Sequence, residues 1–415
     1  MLLHLCLIAS VARAQTPQAP QARLLEALQA NRLPLTMSDG RPAGPGWDWL
    51  VGEARNARFT LIGEEHGVAE TAQLTAALYS TLRGAGYTRF AFELSPVIAQ
   101  DIEAAARRNG VQGIEDFLRS PNLFTFYNLH EEAQLLADVV QAAPRNKRVL
   151  WGFDREIFND RYLISKLEPR VPPGARAAFA RLKEASTNAW ARNERTKNPD
   201  DMFILAEDSA LAVALQAAWP HPERESDAVL RTLEASLAIE TAERGGGAWP
   251  YMERRAQWGR SNFAALLRAE SPKILMKFGY NHMIRGANYF NSFDLGAMAD
   301  EVAALTGDRA FHILVLPGPG SRQAVLGAGG FGSVSSDSVD EFRAGDQRLT
   351  RVFSNASATG HEVIDLRPLR RLAMRGLESW NADVVRTIHG YDAVVIWKGA
   401  HAESGLTEAG PGPKP

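Results

Sequence analysis

The chain has a single cysteine, Cys6, among 415 residues. It lies in the N-terminal stretch Met1 to Gln15, MLLHLCLIASVARAQ, where an apolar run precedes Ala12-Arg13-Ala14 in the small-x-small pattern of a signal-peptidase site. The expectation is a signal peptide over residues 1–14 and a periplasmic or secreted protein. Cleavage there removes the only thiol, and with it any disulfide or cysteine nucleophile. The apolar run is too short to cross a bilayer. No small pair precedes Cys6 as a lipid anchor requires, so no stable membrane anchor is expected. A charge excess is lacking too: 46 basic against 48 acidic side chains leave a net charge of -2, which argues against a nucleic-acid partner. There is no Gly-x-Ser-x-Gly elbow, no His-Glu-x-x-His pair and no repeat of fixed period. A small-molecule substrate is the partner these absences leave, with the oligomeric state open.

What is present is apolar material. Hydrophobic residues make up 45% and charged residues 23% of the chain, which excludes general disorder. Short apolar runs predict strands at Arg58–Ile62, Arg89–Leu94, Arg148–Phe153, Lys273–Phe278, Phe311–Leu316 and Ala393–Trp397. Between the first two, Leu74, Leu78 and Leu82 recur at helical spacing and Gly84 and Gly86 end the helix. Strand, helix, strand of this length predicts a mostly parallel α/β sheet with helices on both faces. Residues 158–268 lack β-like runs and read as a large helical insertion, with Asp200-Asp201 and Ser226-Asp227 as helix caps. Asp294–Leu305 reads as a crossover helix, Gly318–Gly332 as a loop and Arg351–Leu366 as a small hairpin. The resulting division is a linker and short helix over residues 15–40, one α/β domain over 41–400, and a disordered tail over 401–415.

In an open parallel sheet, ligands bind beyond the carboxyl ends of the strands. The first strand runs into Gly63-Glu64-Glu65-His66-Gly67, the second ends at Glu93, the third at Asp154-Arg155, and the fourth at Gly279-Tyr280-Asn281-His282. Gly63-x-x-His66 and Gly279-x-x-His282 repeat one device, in which the glycine permits a sharp turn and the histidine is aimed back over the sheet edge. Arg255 and Asn262 lie seven residues apart on the preceding helix, on one face. Each residue also has a bland reading as a helix-entry charge, a structural ion pair or a solvated face. Their coincidence at one edge marks the candidate site.

These segments resemble the erythromycin esterase-like family, within a wider group that includes ChaN-like haem-uptake proteins and Tiki/TraB-type metallopeptidases. The matching stretches are Leu61–Thr71 (LIGEEHGVAET), Phe90–Glu93 (FAFE), Val149–Asp154 (VLWGFD), Arg255–Asn262 (RAQWGRSN), Ile274–His282 (ILMKFGYNH) and Asn291–Gly296 (NSFDLG). The esterase branch usually carries Gly-Glu-x-x-His-Gly; the form here is one residue shorter and is similar to the ChaN-like branch.

Three readings follow. The esterase branch implies a hydrolase without a cofactor, with His66 as general base toward an ester or lactone carbonyl and Glu64 or Glu65 orienting its ring. His282 and Arg255 then stabilise the oxyanion, and Glu93 holds His282 or the water. Asp154, Arg155, Tyr280, Asn281 and Asn262 are candidate binding residues. The metallopeptidase branch implies a divalent metal ion on His66, His282 and Glu93 or Glu65. The ChaN-like branch implies haem without catalysis, with His66, His282 or Tyr280 as axial ligand and Trp151, Phe153 and Phe278 as apolar surface. Substrate choice is expected in the insertion, with Trp190, Trp219 and Trp249 covering the sheet edge.

Overall fold

All six apolar runs are strands. The computed structural model describes residues 20–318, 320–326, 330–335, 352–353, 360–376 and 380–406, so the expected signal segment lies outside the described residues. The strands are β1 (Arg32–Ser38), β2 (Arg41–Ala43), β3 (Phe59–Glu64), β4 (Tyr87–Phe92), β5 (Leu150–Gly152), β6 (Lys273–Gly279), β7 (Ala310–Pro317), β8 (Ser321–Leu326), β9 (Gly330–Ser335), β10 (His361–Asp365) and β11 (Ala393–Trp397). Nine form one sheet in the order β2-β1-β10-β11-β7-β3-β6-β4-β5, parallel from β11 to β5 and antiparallel over β2, β1 and β10.

Every residue of β3, β7 and β11 is buried, because helices cover both faces and a two-sided core needs apolar side chains at every position. The pleat sends alternate residues to opposite layers. Ile62, Phe90, Phe92, Val315 and Val395 pack with Leu74, Leu78 and Leu136 on one face. Leu61, Ala91, Leu314, Val394 and Ile396 pack with Phe263, Leu295 and Ile388 on the other.

The helical segment between β5 and β6 runs from Asp160 to Ala269. It holds its own apolar cluster, in which Leu163, Phe179, Phe203, Leu233 and Leu237 are buried. Its last helix, Ala248–Ala269, inserts Phe263 and Leu266 into the sheet core. The proposed caps fall elsewhere: Asn198 caps the turn Pro199–Asp201, and Ser226 and Asp227 lie inside Arg224–Gly246, after the cap position Glu223.

Other expectations need correction. Residues 32–38, placed in the linker, are β1, whose alternating half-buried pattern and Pro34 suit a partly exposed strand near the sheet margin. Gly318–Gly332 is not all loop, since β8 and β9 pair antiparallel. Within Arg351–Leu366, β10 pairs with β1 and β11 rather than with a hairpin partner, and residues 351 and 354–359 lie outside the described residues. The expected tail begins too early: residues 401–406 dock on the domain through bridges Val68↔Ala402 and Leu129↔Gly405. Residues 407–415 lie outside the described residues. No helix of the described residues is long and apolar enough to cross a membrane.

Candidate active site

The neighbouring strands β3, β6, β4 and β5 are parallel, so their carboxyl ends meet at one edge. Two histidine–carboxylate pairs assemble there. His66, just past β3, places Nδ1 2.9 Å from Glu64 Oε1. His282, in the turn after β6, places Nδ1 2.7 Å from Asp294 Oδ2. Both Nε2 atoms then face Glu93 at the end of β4, at 3.3 Å for His66 and 3.5 Å for His282. A carboxylate on Nδ1 fixes the ring orientation and leaves Nε2 as the working atom.

Glu93 is itself clamped. Arg255 Nη2 donates to Oε1 at 2.6 Å, and the Gly279 backbone N–H donates to Oε2 at 2.6 Å. Arg255 also donates to Asp154 from Nε at 3.0 Å and from Nη2 at 2.5 Å. The resemblance implies Arg255 on an oxyanion; instead the guanidinium holds two buried carboxylates in position. On the other side Lys277, wholly buried in β6, donates to Glu64 Oε1 at 2.5 Å and to Glu132.

These contacts set the charges. Burial disfavours a charged imidazole, but Glu93 and Glu64 outweigh it and His66 is pushed up to about 9. His282 is likewise opposed by burial and by Arg255, yet Asp294 and Glu93 carry it up to about 9. Burial works against the Glu93 carboxylate, and the two imidazoles still hold it well below the usual range. Burial also opposes Glu64, which Lys277 and His66 hold low. The resting site is therefore a charged cluster in which His66 keeps its proton at neutral pH.

His66 is the accessible member, with 28% of its side chain exposed against 8% for His282. Its ring stacks on Phe126 at 5.4 Å, and Phe126 meets Phe158, which meets Phe124. These partly buried phenylalanines give the approach to His66 an apolar wall.

The other sequence candidates divide. Glu65 turns away from the histidines, with Oε2 3.7 Å from Arg322 Nε on β8. Arg155 bonds Glu240 at 2.7 Å and the Tyr251 hydroxyl, tying two insertion helices to the end of β5. Tyr280 is buried in the core, its ring edge-on to Tyr289 and its carbonyl accepting from the Tyr391 hydroxyl. Asn281 Oδ1 and Asn262 Nδ2 are buried without a hydrogen-bond partner. The tryptophans do not form the expected cover: Trp190 donates to Asp160, Trp219 is buried in the insertion core, and Trp249 is exposed.

Four participants were not singled out in the sequence. Asp294 opens the crossover helix and falls in the matching stretch Asn291–Gly296, but nothing in the sequence gives it a role in the site. Lys277 stood in plain view as a lysine within the apolar run ILMKF, a position that demands a buried partner. Glu132 and Phe126 had no local signal.

A metal ion fits this donor set poorly. Histidines with carboxylates on Nδ1 are common metal ligands, but here both Glu93 oxygens already accept strong donors and the Arg255 cation adjoins them. Among the described residues no group of three His, Cys, Asp or Glu side chains has a metal-holding arrangement. Haem fits no better: Phe153, Phe278 and Tyr280 are buried in the sheet core, and Trp151 lies under Arg148.

No family model matches the chain, and no curated protein matches it by sequence. Solved structures do resemble it. A succinoglycan biosynthesis protein superposes with a TM-score of 0.61 at 13% identity, over 94% of this chain and 100% of that one. A protein from Bacillus cereus gives 0.58 at 16%, over 94% and 99%. A mutant erythromycin esterase in its open conformation gives 0.54 at 14%, over 88% and 95%. At these identities the common property is the fold: the chain shares its α/β architecture with an erythromycin esterase.

Proposed function

We propose that this chain is a secreted hydrolase that activates water for attack on an ester or lactone carbonyl of a small molecule. One observation carries the reading: two histidine–carboxylate pairs from different strand ends aim their Nε2 atoms at one clamped carboxylate. The fold shared with an erythromycin esterase supports the substrate class.

His66, deprotonated at Nε2, takes a proton from water as the oxygen bonds the carbonyl carbon, while Glu64 stabilises the imidazolium through Nδ1. His282, protonated and held by Asp294, donates from Nε2 to the oxyanion. When the intermediate collapses, the C–O bond breaks and the leaving alkoxide takes the proton back from His66. Glu93 spaces the two imidazoles, and the Phe124, Phe126 and Phe158 wall favours an apolar substrate face. No serine or cysteine nucleophile is needed.

The test is a panel of chromogenic esters and lactones at pH 9 with the wild type, His66→Ala and His282→Ala. Each substitution is expected to lower kcat at least about 100-fold. Absence of hydrolysis across the panel, or full activity in His66→Ala, overturns the reading.

A further inference from the structure

The segment Ala400–Leu406 comes back from the far end of the chain to the turn that bears His66. The Glu403 N–H donates to the Gly67 carbonyl at 3.1 Å, and the Ala69 N–H donates to the His401 carbonyl at 3.0 Å. From β8, the Gln323 N–H donates to Gly67 at 2.8 Å and Gln323 Nε2 donates to the Glu403 carbonyl at 2.8 Å. At its other end the His130 N–H donates to Ser404, whose own N–H donates to Glu131 Oε2 at 2.7 Å. The fit is close. Gly67 adopts φ 87°, and a Cβ there would stand 2.2 Å from the Gln323 carbonyl oxygen, so only glycine admits these strands beside His66.

Glu403 points inward. It is 1% exposed, and neither carboxylate oxygen has a hydrogen-bond partner. It faces Glu132 and Glu131 from the helix His130–Gln141, Lys277 from β6 and Glu64 from β3. Tyr127 also adjoins Lys277, whereas His401 is turned outward onto Glu70 and Arg322 onto Glu65. Lys277 bonds Glu64 and Glu132, and those two carboxylates each keep one buried oxygen unpartnered. One ammonium thus serves three buried carboxyl groups. An ionised carboxylate with no donor is far costlier in such a place than a protonated one.

We propose that Glu403 enters this pocket as a neutral carboxylic acid, and that its strap, Ala400–Leu406, is a positioning element for the His66 turn that docks with uptake of one proton. The proposal deepens the hydrolase reading and rests on it for the meaning of His66. Burial, followed by the neighbouring Glu132 charge, pushes Glu403 well above the carboxylate range, in keeping with the geometry. The balance is simple: solvated carboxylate plus a proton gives the docked acid, and release returns the proton. The strap is therefore held at neutral pH and loosens in alkali, freeing the Gly67 carbonyl and the Ala69 amide.

Hydrogen exchange on the full chain between pH 6 and 10, corrected for intrinsic rates, tests this with the wild type, Glu403→Gln and Glu403→Ala. In the wild type, protection of residues 401–404 and of Ala69 is expected to fall about tenfold per pH unit for as long as the docked group stays protonated while the released one is ionised. Glu403→Gln, a neutral isostere, keeps protection across the range, and Glu403→Ala lowers it equally at every pH. The His66 ring resonances supply a readout beyond stability: a second inflection accompanying strap release appears in the wild type and vanishes in Glu403→Gln. Wild-type protection independent of pH, or a pH dependence that persists in Glu403→Gln, overturns the proposal. Neither readout uses catalysis, so failure to find ester hydrolysis and failure of the strap proposal are separate results.

Discussion

His66 Nε2 and Glu93 Oε2 face each other at 3.3 Å across β6, although one residue follows β3 and the other follows β4. The pair holds a proton on the atom proposed to accept one. Because the two carboxylates carry His66 up to about 9, the basic form is scarce at neutral pH. Rates of ester hydrolysis measured as kcat/KM are expected to rise about tenfold per unit from pH 7, to peak near 9 and to fall above it as His282 loses its proton. A flat profile over that span removes His66 as the base.

The adjacent glutamates should separate cleanly. Glu64→Gln removes the charge on His66 Nδ1 and one partner of Lys277. It is expected to cost roughly 100-fold in kcat and to move the rising limb of the pH profile to lower pH. Glu65→Gln loosens a long 3.7 Å pair with Arg322 of β8 that does not reach the histidines and is expected to stay within about twofold in kcat. Equal losses in the two variants would show that the assignment of roles is wrong.

The strand-end candidates are legible because β3, β7 and β11 are covered on both faces and β6 is buried along its middle, which leaves mostly apolar runs that end at the site residues. β1, with Pro34 and an alternating pattern, carries no such signal, and β8 and β9 are hidden by glycine and serine. Asp294 was half legible. Its Oδ1 accepts from the Leu295 N–H as a cap should, while Oδ2 holds His282, and only the first role leaves a trace in sequence. Glu132 and Glu403 meet Lys277 through tertiary packing alone, so no local pattern announces them. Tyr280 follows the glycine of the motif as expected, yet its ring enters the core.

The two motif glycines serve space rather than torsion. Gly279 sits at φ -51°, which any residue adopts, but a Cβ there would lie 3.3 Å from both Glu93 Oε2 and His66 Nε2. Gly279→Ala is expected to fold, with a melting temperature within a few degrees of wild type, while kcat falls about tenfold as the His66–Glu93 spacing opens. At Gly63 a Cβ would meet the Tyr391 hydroxyl at 2.6 Å and Tyr280 Cα at 2.9 Å, so Gly63→Ala is expected to lose about 1–3 kcal/mol by overpacking. Urea unfolding and kinetics on both variants check this; a large stability loss in Gly279→Ala with unchanged kcat would reverse the assignment.

Stability should fall on the alkaline side. His66 and His282, ordinarily near 6.5, are raised to about 9 in the fold, so their contribution is full below about 6.5 and is lost as pH rises through 9. Glu132, which burial pushes up to about 7 despite Lys277, adds a loss between its ordinary value and 7. On the acid side Glu93 and Glu64 are held low, and their contribution disappears as pH drops below the usual carboxylate range. Calorimetry is expected to show the melting temperature highest near pH 5 and declining to pH 9.5; a rise over the alkaline interval contradicts the charge assignment.

Lys277 distinguishes holding the fold from holding the site. It is wholly buried between Glu64 and Glu132, and Lys277→Met leaves both carboxylates without their cation, a loss of about 3–5 kcal/mol by precedent for broken buried pairs. Replacing partners together is a milder change, because an apolar pair of similar volume avoids the desolvation of two charges. Lys277→Met/Glu132→Leu is therefore expected to regain at least half of that stability. Activity should not return with it, since Glu64 still lacks the ammonium that keeps it ionised beneath His66. Restored activity in the double variant would mean that Lys277 contributes to packing alone, whereas a stable but inactive protein places it in the chain of charges that runs from Glu132 through Glu64 to His66.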